Sequence, residues 1–362
     1  MIKLLITIGC LEVGGAEIFV LNLLKRLDYR KFQVLLIVLS KKHNTFIEDE
    51  LEKLPIKIQY LNKKEGFRPL TMLRLTLITR RFSPNIMHGN VGGMLYLFLY
   101  LLIFWKSKAI HTTHTLANFE YGTVKRKILA MFYRRKKVIP VAISPVIKKS
   151  IIETYGLSED QVILINNAVD VFRFKTYRCY YNKGMVIGHI GRYNPVKNHQ
   201  TIIAVYRQLL QSYPDLQLRL VGDGLLFPKI EKEIANLKNV YMIKKTAQVE
   251  KQLAQIDIFL LPSVYEGMPL SIIEAMASGA VIVASRVGGI TDIIENGVNG
   301  YLIDDCYDID GFVTILHHLL ENKAEMTEIS KKNVEKAQKY DIIQLVLAYE
   351  NLYTREVSNV NG

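Results

Sequence analysis

At 362 residues the chain exceeds what one ordinary hydrophobic core supports and suits two α/β domains. A composition 49% hydrophobic and 22% charged, free of low-complexity tracts and fixed-period repeats, excludes a disordered or solenoid chain. The formal charge of +13 is unevenly placed: residues 1–175 hold 28 basic and 13 acidic side chains, the remainder 19 and 21, so the excess basicity lies in the first half, where it suits nucleic acid, an anionic membrane or a phosphate-bearing substrate without separating them.

The run Lys3 to Ile8 is apolar but leads straight into Gly9 and Glu12, without the charged start and cleavage site of a signal peptide, and reads as a buried first strand. A helix follows from Ala16 to Leu27, a strand from Gln33 to Leu39 and a helix from Asn44 to Leu54. The alternation continues through strand Ile56 to Leu61, helix Leu70 to Phe82, strand Ile86 to His88, the apolar helix Met94 to Trp105, and strands Ala109 to Thr112, Val138 to Ile143 and Val162 to Ile165. Such βα rhythm marks a parallel sheet. Met94 to Trp105 falls short of the roughly 20 residues that span a bilayer and reads as a buried or interfacial helix. Lys125-Arg126-Lys127 and Arg134-Arg135-Lys136-Lys137 bracket an apolar stripe on a basic helix. That pattern suits an anionic leaflet, with a solvated helix face as the alternative; nucleic acid ranks below both, since no nucleic-acid module accompanies it.

From Val171 to Lys183 the chain is polar and aromatic with little period, the pattern of a linker. The rhythm restarts with strand Met185 to Ile190, helix His199 to Ser212, strand Gln217 to Val221, helix Leu225 to Ala235, strand Val240 to Ile243, helix Val249 to Gln255, strand Ile258 to Leu261, helix Ser271 to Ser278 and strand Val281 to Ala284. Two doubly wound, Rossmann-like domains result, 1–175 and 184–340, sharing a cleft beyond the carboxyl ends of their strands, with 341–362 as a final helix. Cys10, Cys179 and Cys306 are odd in number and widely spaced, which indicates neither a disulfide framework nor a zinc site and fits a reducing cytoplasm.

Gly14-Gly15-Ala16-Glu17 opens the first helix, where glycine allows close backbone approach and the helix terminus favours an anion; it is either a ligand loop or a tight turn, and not a G-x-G-x-x-G. Gly191-Arg192 ends the first strand of the second half, with Lys197 beyond Pro195. Two fixed cations there suit a diphosphate, unless they are ordinary loop cations. Glu266-Gly267-Met268-Pro269-Leu270-Ser271 follows the buried strand ending at Leu261, and Glu274 lies eight residues after Glu266. Ser271 is expected to cap the next helix, leaving N–H groups for phosphate oxygens. Glu274, in its first turn, is expected to accept from sugar hydroxyls, and Glu266 to reach the other end of the donor, the alternatives being a dipole-compensating glutamate and a plain loop carboxylate. In His111-Thr112-Thr113-His114, His114 is expected to be functional and His111 structural. Asp304-Asp305 and Asp308-x-Asp310 read as helix caps, and no metal is expected.

In this order the motifs resemble glycosyltransferase family 4, of GT-B fold, over nearly the whole chain. Glu266 to Glu274 resembles the family's E-x7-E motif, followed by Ala275-Met276-Ala277-Ser278-Gly279, Val287-Gly288-Gly289 and Asn296-Gly297-Val298-Asn299-Gly300-Tyr301-Leu302. Gly188 to Arg192 with Lys197-Asn198 is similar to the diphosphate segment, and Val221-Gly222-Asp223-Gly224 to the next strand end. Gly14 to Glu17 resembles the glycine-rich loop, His111 to Thr115 the cleft histidine segment, and Asn167-Ala168-Val169-Asp170 the N-G-V-D turn, with Ala168 in place of glycine. The resemblance implies a retaining, metal-free transfer from a nucleotide sugar, commonly UDP-linked. Arg192 and Lys197 would hold the diphosphate, Glu274 the ribose and Glu266 the donor sugar, with Gly14, Gly15, Gly191, Gly222, Leu270 and Ser271 lining the donor site and His114 in the cleft. It also implies that the last helix, near Ile342 to Tyr353, crosses back onto the first domain.

The expected acceptor is a saccharide, on a polyisoprenoid lipid at the inner face of the plasma membrane, in bacterial capsule, O-antigen or exopolysaccharide synthesis. A sugar-nucleotide epimerase and a non-catalytic nucleotide-sugar-binding subunit are the competing classes.

Overall fold

The computed structural model describes residues 1–175, 184–244, 246 and 248–361, so the rest of the expected linker, 176–183, including Cys179, lies outside the described residues. The chain forms two compact units, one of residues 1–167 together with 342 to the C-terminus, the other of residues 168–341.

The first unit is built on seven parallel strands: β1 (Ile2–Ile8), β2 (Phe32–Val38), β3 (Lys57–Tyr60), β4 (Ile86–Asn90), β5 (Ala109–Thr113), β6 (Val138–Ala142) and β7 (Ile163–Leu164). Their order is β3-β2-β1-β4-β5-β6-β7. β1, β2 and β4 to β6 are nearly continuous apolar or buried runs because helices cover both faces of the sheet. The strand order reverses between β1 and β4, the point at which such sheets bind ligands. The helix Pro145–Tyr155 is absent from the sequence reading although its start was written there: Ser144 accepts from the Ile147 N–H at 3.3 Å and Pro145 fills the first turn.

The C-terminal helix Ile342–Asn361 belongs to this unit. Its Tyr349 and Tyr353 are fully buried. His88 Nδ1 lies 2.7 Å from Tyr353 Oη, His88 Nε2 lies 2.7 Å from Thr112 Oγ1, and Thr112 Oγ1 lies 2.8 Å from Tyr349 Oη. Burial pushes the His88 pKa well below its usual range, so the ring is neutral, with one donor and one acceptor for its two hydroxyl partners. At the helix rim the Glu350 carboxylate accepts from the Asp28 N–H at 2.8 Å, and Lys108 pairs with Glu356 at 3.2 Å.

The second unit has six parallel strands: β8 (Val186–Ile190), β9 (Gln217–Val221), β10 (Val240–Ile243), β11 (Ile258–Leu261), β12 (Val281–Ser285) and β13 (Tyr301–Ile303), in the order β10-β9-β8-β11-β12-β13. Its switch point lies between β8 and β11. β13, absent from the sequence reading, is three residues long and carries too little pattern to show as a strand. Val171–Lys175, read as linker, is helical and opens this unit, with Phe174 buried. The core joins Ile202, Tyr206 and Leu209 to Leu218, Leu260 and Val283. Among the described residues no helix is long and apolar enough to cross a membrane.

Tyr353→Phe leaves one buried His88 nitrogen without its partner. The expected loss is about 1–3 kcal/mol of unfolding free energy, read from urea denaturation; a superimposable transition would show that this bond does not hold the helix.

Candidate functional site

The site in the second unit grows from two strand ends at the switch point. β8 ends at Ile190, and Gly191 donates to the Val221 carbonyl at 3.0 Å, extending its contact with β9. Gly222 has φ +145°, and a Cβ there would lie 1.9 Å from the Gly191 carbonyl oxygen, so only glycine fits. Arg192 is exposed. The chain then turns through Pro195–Lys197, where the Asn194 side chain accepts from the Lys197 N–H at 3.2 Å. That turn delivers Lys197 Nζ to Glu266 Oε1 at 2.5 Å, and Ser263 Oγ donates to the same oxygen at 2.6 Å.

The Glu266 loop is held from behind by Val287-Gly288-Gly289. A Cβ at Gly288, whose φ is +51°, would lie 1.8 Å from the Glu266 carbonyl oxygen, and one at Gly289 would lie 1.9 Å from that of Gly267. The Gly289 N–H instead donates to the Glu266 carbonyl at 3.0 Å. Ser263, Gly288 and Gly289 support this loop, a role that their place in the motifs does not itself reveal. The signal for Ser263 was its position three residues before Glu266.

Two expectations about the next helix need correction. It runs Leu270–Ala277 with Pro269 at the N-cap, so Ser271 stands inside the first turn and caps nothing. Pro269 fits there because it fixes the entry and needs no side-chain bond. Glu274 is consequently the helix's fifth residue, in the second turn and not the first. Burial pushes its pKa up to about 7, against the attraction of Arg173 and assisted by repulsion from Glu250. Arg173, on the short helix Val171–Lys175, is itself bound to Glu250 at 3.0 Å and 2.5 Å. Neither Arg173 nor Glu250 was singled out from sequence.

In the first unit the helix Gly15–Arg26 starts after Gly14, and a Cβ on Gly15 would meet nothing within 4 Å, so the fold leaves that space open. His114 follows β5, half-buried, with Nε2 3.0 Å from the Oδ1 of buried Asn90 and its ring 4.9 Å from that of Phe19. Burial, reinforced by His111, lowers its pKa to about 3. His114 is therefore a neutral hydrogen-bonding group at ordinary pH, not a cation. His111 is fully buried between Tyr133 Oη, at 2.6 Å, and Glu120 Oε1, at 2.9 Å. Asp308 caps the helix Ile309–Glu321, accepting from the Gly311 N–H at 2.9 Å.

With this arrangement in hand, the model of glycosyl transferases group 1 matches residues 180–339 and that of glycosyltransferase family 4 matches residues 13–173. The chain belongs to glycosyltransferase family 4. Its two sheets have the GT-B architecture. It is 25% identical over 305 residues to the putative glycosyltransferase EpsF of Bacillus subtilis, covering 79% of each chain. To the UDP-Gal:alpha-D-GlcNAc-diphosphoundecaprenol alpha-1,3-galactosyltransferase of Escherichia coli it is 24% identical, covering 68% of this chain and 69% of that one. The match to the sulfoquinovosyl transferase SQD2 of Arabidopsis thaliana, 25% identical over 72% of this chain, spans 54% of that relative. Anabaena HepE, solved with UDP and glucose, superposes with a TM-score of 0.83 at 18% identity, covering 98% of this chain and 100% of that one. The chain is accordingly a glycosyltransferase by family, and the strand-end residues of its second unit are the candidate donor site.

The Glu274 carboxyl gives a pH signature. Between its ordinary value of 4.5 and about 7, the folded chain keeps a proton that the unfolded chain releases, so stability falls as pH rises through that window. Glu274→Gln removes this term. Its melting temperature should gain on that of the wild type between about pH 5 and about pH 8; a difference that does not change with pH would contradict the assignment.

Proposed function

We propose that the chain is a retaining hexosyl- or N-acetylhexosaminyltransferase that uses a nucleotide sugar, UDP-linked, and a saccharide acceptor carried on a polyisoprenoid lipid. The observation that carries the donor part is the meeting of Lys197 and Glu266 at the β8–β11 switch point. One residue set there follows β8 and supplies cations, while the other follows β11 and leads into a helix N-terminus. In this reading Arg192 and Lys197 hold the diphosphate, and the free N–H groups of the first turn at Leu270 and Ser271 donate to its oxygens. Glu274, once ionised, accepts from the ribose hydroxyls. Glu266 takes the donor sugar's hydroxyls, and its bond to Lys197 becomes a link between sugar and phosphate recognition. Gly191 and Gly222, packed backbone against backbone, bring the two strand ends together beside the donor.

The bond from the anomeric carbon to the phosphate oxygen breaks as charge grows on the diphosphate, which the two cations stabilise. The acceptor hydroxyl attacks from the same face, and its proton passes to the departing phosphate oxygen. Glu266 is engaged by Lys197 and Ser263, which suits a binding role over that of a covalent nucleophile. Neutral His114 offers a hydrogen bond to a sugar hydroxyl, and the reading needs no metal. UDP is supported by the UDP-Gal donor in the name of the Escherichia coli relative and by the UDP bound to Anabaena HepE. A lipid-borne acceptor is supported by the diphosphoundecaprenol in that same name, and by the basic first unit, which suits peripheral contact with an anionic inner leaflet.

Replacing Arg192 and Lys197 together by Ala should lower turnover by at least about 100-fold with the fold retained. A melting-temperature screen with UDP-, GDP-, ADP- and TDP-sugars should show stabilisation by one donor class, lost in Glu274→Ala. Undiminished transfer by the double variant would overturn the reading.

A further inference from the structure

Residues 66–152, bounded by Glu65 and Glu153, hold fifteen Lys and Arg and a single carboxylate, Glu120, which is buried against His111. The helices Pro69–Phe82, Gly93–Ile103 and Thr123–Arg134 all come from this stretch. On the first of them Leu70, Leu73 and Leu77 recur at i, i+3 and i+7 and stay exposed, Leu70 at 81% and Leu77 at 59%. Arg74 and Arg81 flank that stripe and are exposed as well. Spacing of this kind ordinarily faces a core, and here it faces outward.

The three helices share one side. Phe98 of the second packs on Phe132 of the third, with ring centroids 5.0 Å apart. Where the helices approach, cations sit over exposed or half-buried aromatic rings: Arg80 is 6.0 Å from the Phe104 centroid, Lys125 is 5.8 Å from that of Phe67, and Lys137 is 4.2 Å from that of Trp105. Trp105 and Ile103, at the end of the second helix, are each 57% exposed. The sequence reading gave membrane attachment to the basic helix Thr123–Arg134. In the structure that helix spends Leu129, Phe132 and Tyr133 on the interior of the unit and shows Val124, at 72%, and Ile128, at 37%, beside Lys127 and Arg134 outside. The other two helices add to that apolar contribution.

We infer that the outer side of these three helices is the face that lies on an anionic bilayer, with Leu70, Leu73, Leu77, Ile103 and Trp105 entering the boundary between headgroups and acyl chains. Charge complementarity selects this occupant: a field of arginine and lysine around exposed leucine and tryptophan matches acidic headgroups over hydrocarbon. A neutral protein surface would leave the cations without partners. The inference deepens the reading of a lipid-borne acceptor and rests on it for its purpose. Vesicle binding is measured without donor or acceptor, so turnover of a water-soluble acceptor separates the failure of one from the failure of the other.

Trp105 is the chain's only tryptophan and therefore a built-in probe. Its emission should shift to the blue, and be quenched by brominated acyl chains, when phosphatidylglycerol-containing vesicles are added at low salt, and not with phosphatidylcholine alone. Leu70→Ser with Leu73→Ser and Leu77→Ser should weaken flotation with those vesicles by about tenfold. Because these side chains are exposed, the variant should melt as the wild type does. High salt should release both proteins. Unchanged emission with anionic vesicles would overturn the inference. So would flotation unaffected by the triple variant, or a blue shift that grows with protein concentration in the absence of lipid, which would make the occupant a second copy of the chain.

Discussion

Three backbone carbonyls and three glycines set the geometry on which the candidate site depends. The Gly191 carbonyl occupies the place of a side chain at Gly222, and the Glu266 and Gly267 carbonyls occupy those at Gly288 and Gly289. No rotamer change relieves contacts of this kind, because both partners are backbone. The loops after β8 and β11 are thereby backed by the loops after β9 and β12, and each has one place to stand. Lys197 and Glu266 meet because their loops are fixed first. The ion pair then needs little further ordering, which favours it over the long, mobile pairs of a protein surface. The same loops fix where the helix beginning at Leu270 points its free N–H groups.

Charge is handled differently in the two units. The second unit places Arg192 and the Lys197–Glu266 pair at a strand end and holds the half-buried carboxyl of Glu274 eight residues after Glu266, its desolvation only partly offset by Arg173. A group that resists ionising in the empty protein gains from any ligand that supplies hydrogen bonds to the charged form, so binding and deprotonation reinforce one another. The first unit keeps its central histidines neutral: His88 and His114 are desolvated, and their hydrogen bonds come from uncharged groups. Its charge lies outside, on the helices between residues 66 and 152.

Fold and candidate site were legible in the sequence to different depths. The βα rhythm was visible because buried parallel strands such as Ile258–Leu261 leave uninterrupted apolar runs, and the resemblance rested on Glu266 to Glu274 and the segments after it. What escaped depended on residues with no pattern of their own. β13 is too short for periodicity, and Val171–Lys175 is one turn of helix among polar and aromatic residues. Ser271 has the chemistry of a cap, but Pro269 fixed the start of the helix one residue earlier, which also carried Glu274 into the second turn. Arg173 and Glu250 lie 77 residues apart, and only folding brings them near Glu274. The Leu70, Leu73 and Leu77 stripe misled in the other direction, since helical spacing of leucines says that a face is apolar without saying what covers it.

The central claim is that the ends of β8 and β11 bind the diphosphate and nucleoside of a sugar donor. Amide hydrogen exchange with and without UDP tests it segment by segment. Slowed exchange confined to the turn after β8, through Lys197, and to the loop and helix from Glu266 to Ala277 is the predicted result. Protection appearing only in the first unit, or exchange unchanged at a UDP concentration that raises the melting temperature, would contradict it.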